Sequence, residues 1–164
     1  MDMEVWWPGL RERLVSQFRL GPFSAHDQEH WQRVERYGVY LASQGADLEV
    51  VRLFAWIHDS QRQKESYEPE HGPRAAEWAR EWCGKAFFLR SDQLEVLMEA
   101  CRDHELGSTT RDLTIGVCWD SDRLDLDRVG KTPDLDLLST DLGKKLALMR
   151  PNDRRRVTER AHEM

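Results

Sequence analysis

The sequence predicts an all-α, single-domain protein with a metal site inside its helical bundle. Apolar residues recur at helical spacing through almost the whole chain of 164 residues, while alternating strand patterns are scarce. Hydrophobic residues make up 40% and charged residues 33%, which suffices for one core and excludes a disordered chain. Ionisable side chains lie on several apolar helix faces, and this placement predicts the metal site.

Start and stop signals divide the chain into helices. A Gly-Pro pair at 21–22 ends a first short helix, Ser24 and Asp27 have the spacing of a capping box, and Asp47 begins a third helix. The polar residues 60–73, which include two prolines, predict a loop. The predicted helices cover residues 11–20, 24–43, a stretch from 47, 74–82, a stretch from 91, a stretch around 115–126, and 139–150.

We expect three parts in the chain. Residues 1–20 form an N-terminal helical extension, residues 21–150 form the main domain, and residues 151–164 form a charged, solvated tail. Trp6 and Trp7 suit packing across the bundle or a homodimer contact.

Composition excludes several functional classes. The net charge of −6 argues against general binding to nucleic acid or anionic membranes. The longest apolar run, Leu53 to Ile57, is too short to span a bilayer, and the acidic N-terminus does not resemble a secretory signal. Cys83, Cys101 and Cys118 are an odd set without C-x-x-C spacing, so we expect no disulfide framework and a cytoplasmic location.

Four of the predicted helices direct an ionisable side chain toward the apolar side. These side chains are His30, His58, His104 and Asp122, and Asp59 directly follows His58. A buried imidazole or carboxylate is costly unless it is paired or bound to a metal. A single inward histidine is ordinarily a hydrogen-bonded core residue, but several from different helices indicate a metal site within the bundle.

This order of residues resembles the HD-domain superfamily of metal-dependent phosphohydrolases, over roughly residues 21–130. His30 in EHWQRV is similar to the first histidine of the family's H-x-x-x-V pattern, and His58-Asp59 in FAWIHDSQR to its defining doublet. Asp122 in WDSDRLDL is similar to the family's final aspartate, with Ser121 in place of the usual alanine. The resemblance implies an HD-domain helical bundle in which these residues hold one divalent ion (Mn, Fe, Co, Ni, Zn or Mg).

Two further histidines extend the resemblance. His71 in PEHGPRAA and His104 in ACRDHE are similar to histidines of small HD hydrolases and of members that bind two metals. They either hold a second metal ion or line the pocket. The residues after the doublet, SQRQKES, lack the Glu-Asp pair typical of the branch that hydrolyses guanosine tetraphosphate, so we do not expect that activity.

The implied reaction is attack of metal-activated water on the phosphorus of a small phosphorylated substrate, with a nucleotide favoured. The predicted catalytic residues are Asp59 as proton acceptor and His104 or His71 as general acid. The residues predicted to bind substrate are Arg62, Arg33, His71 and His26. Beside the ligand Asp122, we expect Asp120 to support the site and Asp125 to point partly outward.

Three alternatives remain. His26 and His30 form an H-x-x-x-H pair as in zinc proteases, but Asp27 stands where those enzymes need glutamate. A di-iron oxygenase on the HD scaffold would use both His71 and His104 as ligands. A non-catalytic HD domain would serve as a binding or signalling module.

Overall fold

The computed structural model describes the backbone of residues 3–163 and the side chains of 7–161 and 163. This part of the chain is all-helical, as predicted, apart from one isolated bridge between Cys83 and Phe87. The α-helices are α1 (Met3–Gln17), α2 (Gln28–Leu41), α3 (Leu48–Ile57), α4 (His71–Trp82), α5 (Ser91–Asp103), α6 (Leu113–Arg123), α7 (Asp141–Ala147) and α8 (Pro151–Glu163). Short 3-10 helices cover Ala42–Gln44, Leu126–Val129 and Leu135–Leu137.

Helices α2, α3, α5 and α6 pack against one another around the apolar core, and α4 packs against α5. The core is filled by large side chains without solvent exposure, among them Trp31, Phe54 and Leu97. Trp56 is also buried and packs edge-on against Trp31, so both tryptophans belong to the core. None of the described helices is long and apolar enough to cross a membrane.

Aspartate caps fix the starts of the helices that carry the site. Asp47 accepts a hydrogen bond from the backbone nitrogen of Val50 at 3.2 Å, which confirms the predicted start of α3. Asp27 caps α2, so that helix begins at Gln28. The predicted capping box at Ser24 is wrong, because the Ser24 hydroxyl donates to Glu65 at 2.7 Å instead.

The two ends of the chain compare differently with the prediction. Residues 151–163 form α8, which packs against α2, rather than a solvated tail. Arg154 is only 2% exposed and donates to the carbonyl of Leu124 at 2.9 Å, closing the end of α6. Trp7 lies in the core against Trp56, which confirms the predicted packing across the bundle, while the Trp6 side chain lies outside the described residues. The domain boundaries stay a prediction.

Candidate metal centre

Four side chains from three separate parts of the sequence meet between α2, α3 and α6. His30 lies in the first turn of α2, His58 ends α3 with Asp59 directly after it, and Asp122 lies near the end of α6. The Nε2 atoms of the two histidines are 3.3 Å apart. Carboxylate oxygens of the two aspartates lie 3.1–3.6 Å from these nitrogens. The structure therefore brings together all four predicted ligands.

The orientation of the two imidazole rings favours metal binding. The Nδ1 atom of His58 is 3.0 Å from the carbonyl oxygen of Phe54, and Nδ1 of His30 is 2.7 Å from a carboxylate oxygen of Asp125. Nδ1 donates in both contacts, which directs the Nε2 lone pairs at the centre. Donors about 2.1 Å from one ion lie about 3.0–3.4 Å from each other in octahedral or tetrahedral geometry. The observed spacing fits a divalent ion.

The charges of the centre also call for a cation. Burial lowers the pKa of His30, but hydrogen bonds to three carboxylates, first that of Asp122, outweigh burial and raise the pKa to about 10. Burial raises the pKa of Asp59 and of Asp122, yet the neighbouring His58 and further imidazoles hold both carboxyl pKa values well below the usual range. Without an ion, the proton on Nε2 of His30 faces two ionised carboxylates, and a divalent ion would take the place of that proton.

Asp59 directs its other oxygen toward a second pair of histidines. Its Oδ1 atom is 3.0 Å from Nε2 of His71 and 3.5 Å from Nε2 of His104, and these nitrogens are 2.9 Å apart. Nδ1 of His104 donates to the carbonyl of Cys101 at 2.7 Å, and Nδ1 of His71 donates to the carbonyl of Glu68. Both rings therefore present Nε2 to the same carboxylate oxygen, in a group that could hold a second metal ion.

Gly72 allows the second pair to form. A Cβ atom at this position would lie 2.7 Å from the backbone oxygens of both Cys101 and Arg102. Only a residue without a side chain lets the start of α4 approach the end of α5 this closely. That approach places His71, the first residue of α4, against His104, which ends α5.

Asp125 is a site residue that sequence reasoning missed. We expected it to point partly outward, but it is fully buried and accepts hydrogen bonds from Nδ1 of His30 at 2.7 Å and from Nε of Arg33 at 2.8 Å. The reason is that α6 ends at Arg123, so its helical phase does not continue to position 125. Asp125 orients the His30 ring from outside the centre.

Asp120 has a different role from the one we expected. Its carboxylate accepts hydrogen bonds from the backbone nitrogens of Ser139 and Thr140, at 2.8 Å and 2.9 Å, and from the Thr140 hydroxyl. It therefore fixes the start of α7 rather than a metal ligand.

The structure places the two predicted phosphate-binding arginines among carboxylates. Arg62 is buried and donates to Asp59 at 3.3 Å and to Glu105 at 2.5 Å. Arg33 donates to Asp125, and it does not line the pocket described next. Because both guanidinium groups are neutralised by acidic partners, neither is a free cation for a phosphate.

A pocket of about 590 Å³ opens onto Asp59, Asp122 and His104. His26 lies in its wall, with Nδ1 3.1 Å from Oδ2 of Asp59. Because α2 begins at residue 28, His26 precedes the helix and does not lie one helical turn from the next histidine. The zinc-protease alternative, which needs both histidines on one helix, is therefore wrong.

Comparison with known proteins identifies the fold. No protein-family model matches the chain, and no curated protein matches it. The chain is similar to a crystal structure, at 1.45 Å resolution, of a protein described as a predicted HD superfamily hydrolase from an uncultured Thermotogales bacterium. The match has a TM-score of 0.71 and 22% sequence identity, and it covers 99% of this chain and 96% of that chain. The chain has the HD-domain fold.

The HD-domain fold confirms the architecture that the resemblance implied. The identity of 22% supports the fold alone, so the ligand assignments depend on the geometry of this chain. His30, His58, Asp59 and Asp122 are brought together as the HD pattern requires. Burial raises the pKa of both Cys101 and Cys118, so neither buried thiol is an activated nucleophile.

Proposed function

We propose that the protein is a metal-dependent phosphohydrolase acting on a small phosphorylated substrate. The observation that carries this proposal is the buried set of two imidazoles and two carboxylates, spaced for one ion, at the floor of a pocket. The proposed ligands are His30, His58, Asp59 and Asp122. Of these, Asp59 and Asp122 line the pocket, so the centre is accessible to a substrate.

The proposed roles follow from which side chains face the pocket. A divalent ion held by the four ligands would lower the pKa of bound water and polarise a phosphoryl oxygen. Asp59 is the proposed proton acceptor. His104 lines the pocket and is the proposed proton donor to the leaving group, whereas His71 is fully buried behind it. If a second ion binds, both histidines become its ligands, and the proposed donor is His26 in the pocket wall.

A nucleotide is the proposed substrate class. The pocket volume of about 590 Å³ lies within the range of small-molecule sites and accommodates a base, a sugar and a phosphate. The ring of Tyr67, which is 82% exposed, lines the pocket and offers a stacking surface for a base. Apolar contacts from Leu126 and Leu137 complete a wall suited to an uncharged ring.

One observation favours a second candidate. Asp59 faces two histidine pairs with its two oxygens, and this arrangement suits a pair of metal ions. A di-iron oxygenase on the HD scaffold would use such a pair. A protein that holds two irons, absorbs visible light and releases no phosphate would favour this alternative over the hydrolase.

The first experiment measures metal content per chain on protein purified without chelator. The same sample is then assayed for phosphate or pyrophosphate release from nucleoside mono-, di- and triphosphates and from sugar phosphates. Asp59→Asn, which keeps the side-chain shape, should lose both metal and turnover. Asp103→Asn is the matched control, because Asp103 lies on α5 and pairs with Arg102 outside the centre. Full turnover by Asp59→Asn with metal supplied would overturn the assignment, and no metal even after reconstitution would leave a binding module.

A further inference from the structure

Arg128 lines the pocket and, unlike Arg62 and Arg33, is not paired with any carboxylate that the structure describes. Its Nε atom donates to the carbonyl of Ala25 at 2.8 Å, and Nη1 donates to the carbonyl of Asp125 at 3.0 Å. Both acceptors are uncharged backbone oxygens. Among the side chains that the structure describes, no carboxylate pairs with Arg128 and no acceptor bonds its Nη2 atom. The guanidinium group is therefore held rigidly and keeps its full charge.

Arg128 also lies close to the centre. It contacts the backbone of Asp125, whose carboxylate binds the ring of His30, and its positive charge acts to lower the pKa of His30. Arg128 also lines the same pocket as the proposed ligands Asp59 and Asp122. Two carbonyl hydrogen bonds fix its position, so little side-chain entropy is lost when an anion binds.

Lys131 adds a second cation to the same wall. Gly130 takes a left-handed backbone conformation, with φ of 73°, and turns the chain directly after the short helix that carries Arg128. Lys131 then lines the pocket as an exposed side chain, and within the described residues no carboxylate pairs with it. The hydroxyl-bearing Thr132 follows it in the lining.

We propose that Arg128 and Lys131 form the anion-binding wall of the pocket and that Arg128 is the residue that determines specificity for a terminal phosphoryl group. A terminal phosphate is a dianion with three non-bridging oxygens, whereas an internal phosphodiester has two such oxygens that share one charge, so the terminal group gains more from two cations. The substrate class is therefore a compound with a terminal phosphate rather than a diester. This inference rests on the proposed function, since it requires the phosphoryl group to lie at the metal centre.

The test measures binding of inorganic phosphate to the full, Mn²⁺-loaded chain by isothermal titration calorimetry, with dimethyl phosphate as the diester probe. Arg128→Met should weaken phosphate binding about 10- to 100-fold, the effect expected for hydrogen bonds to a charged group. Lys131→Met should weaken it a few-fold, about the effect of an exposed charge pair. Neither variant should change dimethyl phosphate binding as strongly. Arg80→Met is the matched control, because Arg80 is exposed on α4 and pairs with Glu77 away from the pocket.

Manganese content and thermal unfolding are recorded for every variant. Arg128→Lys keeps the positive charge and tests whether the planar guanidinium group is needed. Lys131→Met changes only an exposed side chain and remains informative if the Arg128 variants unfold. Unchanged phosphate affinity in Arg128→Met and Lys131→Met, with manganese bound, would overturn this inference but not the proposed function. Wild-type protein that holds manganese and binds no phosphate would also overturn it. Wild-type protein that holds no metal would overturn the proposed function and this inference together.

Discussion

Replacing Gly72 with alanine tests how the second histidine pair is positioned. The added Cβ atom would lie 2.7 Å from two backbone oxygens, whereas ordinary contacts begin at 3.4 Å, so α4 and α5 must separate by about 0.7 Å. Overpacking of this kind costs about 1–3 kcal/mol, and the upper end applies because backbone atoms cannot rotate away. Alanine recovers at most about 1 kcal/mol of helix propensity. We therefore expect the substitution to lower the free energy of unfolding by about 2 kcal/mol.

For a chain of this size, that loss lowers Tm by about 4–8 °C. The assay is thermal and urea unfolding of Gly72→Ala beside Gly9→Ala. Gly9 lies within α1, and a Cβ atom added there has no neighbour within 4 Å. The free energy of unfolding of the Gly9→Ala control should therefore rise by up to about 1 kcal/mol, from helix propensity alone.

The same substitution should separate His71 from His104 and reduce occupancy of a second metal site, while the site at His30 keeps its ion. Metal content per chain checks this. A Gly72→Ala protein as stable as wild type, or stabilised like Gly9→Ala, would refute the close-approach argument.

Three further predictions concern metal and stability. Removing the metal with a chelator should lower the free energy of unfolding by about 4 kcal/mol relative to protein at 1,000 times the metal Kd, as denaturant titration would show. Asp125→Asn should weaken metal affinity about 10- to 100-fold by releasing the imidazole it orients, whereas Asp136→Asn, at an exposed position, should not. Arg154→Met should cost about 1–3 kcal/mol because it leaves a helix-end carbonyl unpaired, against less than about 0.5 kcal/mol for the exposed Arg156→Met.

A different result would contradict each of these three predictions. Chelation without loss of stability would mean that metal does not bind the folded state preferentially. Equal metal affinity in the two aspartate variants would show that Asp125 does not orient His30. Equal stability of the two arginine variants would show that burial of Arg154 contributes nothing.

Periodicity in the sequence predicted the helical class and placed His30, His58, His104 and Asp122 on apolar helix faces, because both depend on local spacing. The resemblance to the HD-domain superfamily added Asp59 to the predicted ligands and left His104 as a pocket residue or a ligand of a second ion. His58 and Asp59 directly follow the apolar run Leu53 to Ile57, which is fully or almost fully buried at the end of α3. The helical phase of α6 does not extend past its last residue, Arg123. Asp125 lies just after α6, and its burial depends on contacts with α2, so periodicity alone could not place it.

Charge patterning was misleading at the C-terminus for a related reason. Residues 151–163 are rich in arginine, and charge alone predicts a solvated segment. Arg154 is nevertheless buried, because it meets an unpaired carbonyl at the end of another helix. The predicted phosphate-binding role of Arg62 failed for the same reason, because its carboxylate partner Glu105 lies 43 residues away in the sequence.

The two oxygens of Asp59 have a thermodynamic consequence for metal loading. An ion held beside His30 would fix the carboxylate plane and so orient the oxygen that faces His71. Binding at one position then lowers the entropic cost at the other, and the coupling is the same in both directions. If ions bind at both positions, the shared carboxylate therefore couples them, and a change at one position should alter the metal affinity of the other.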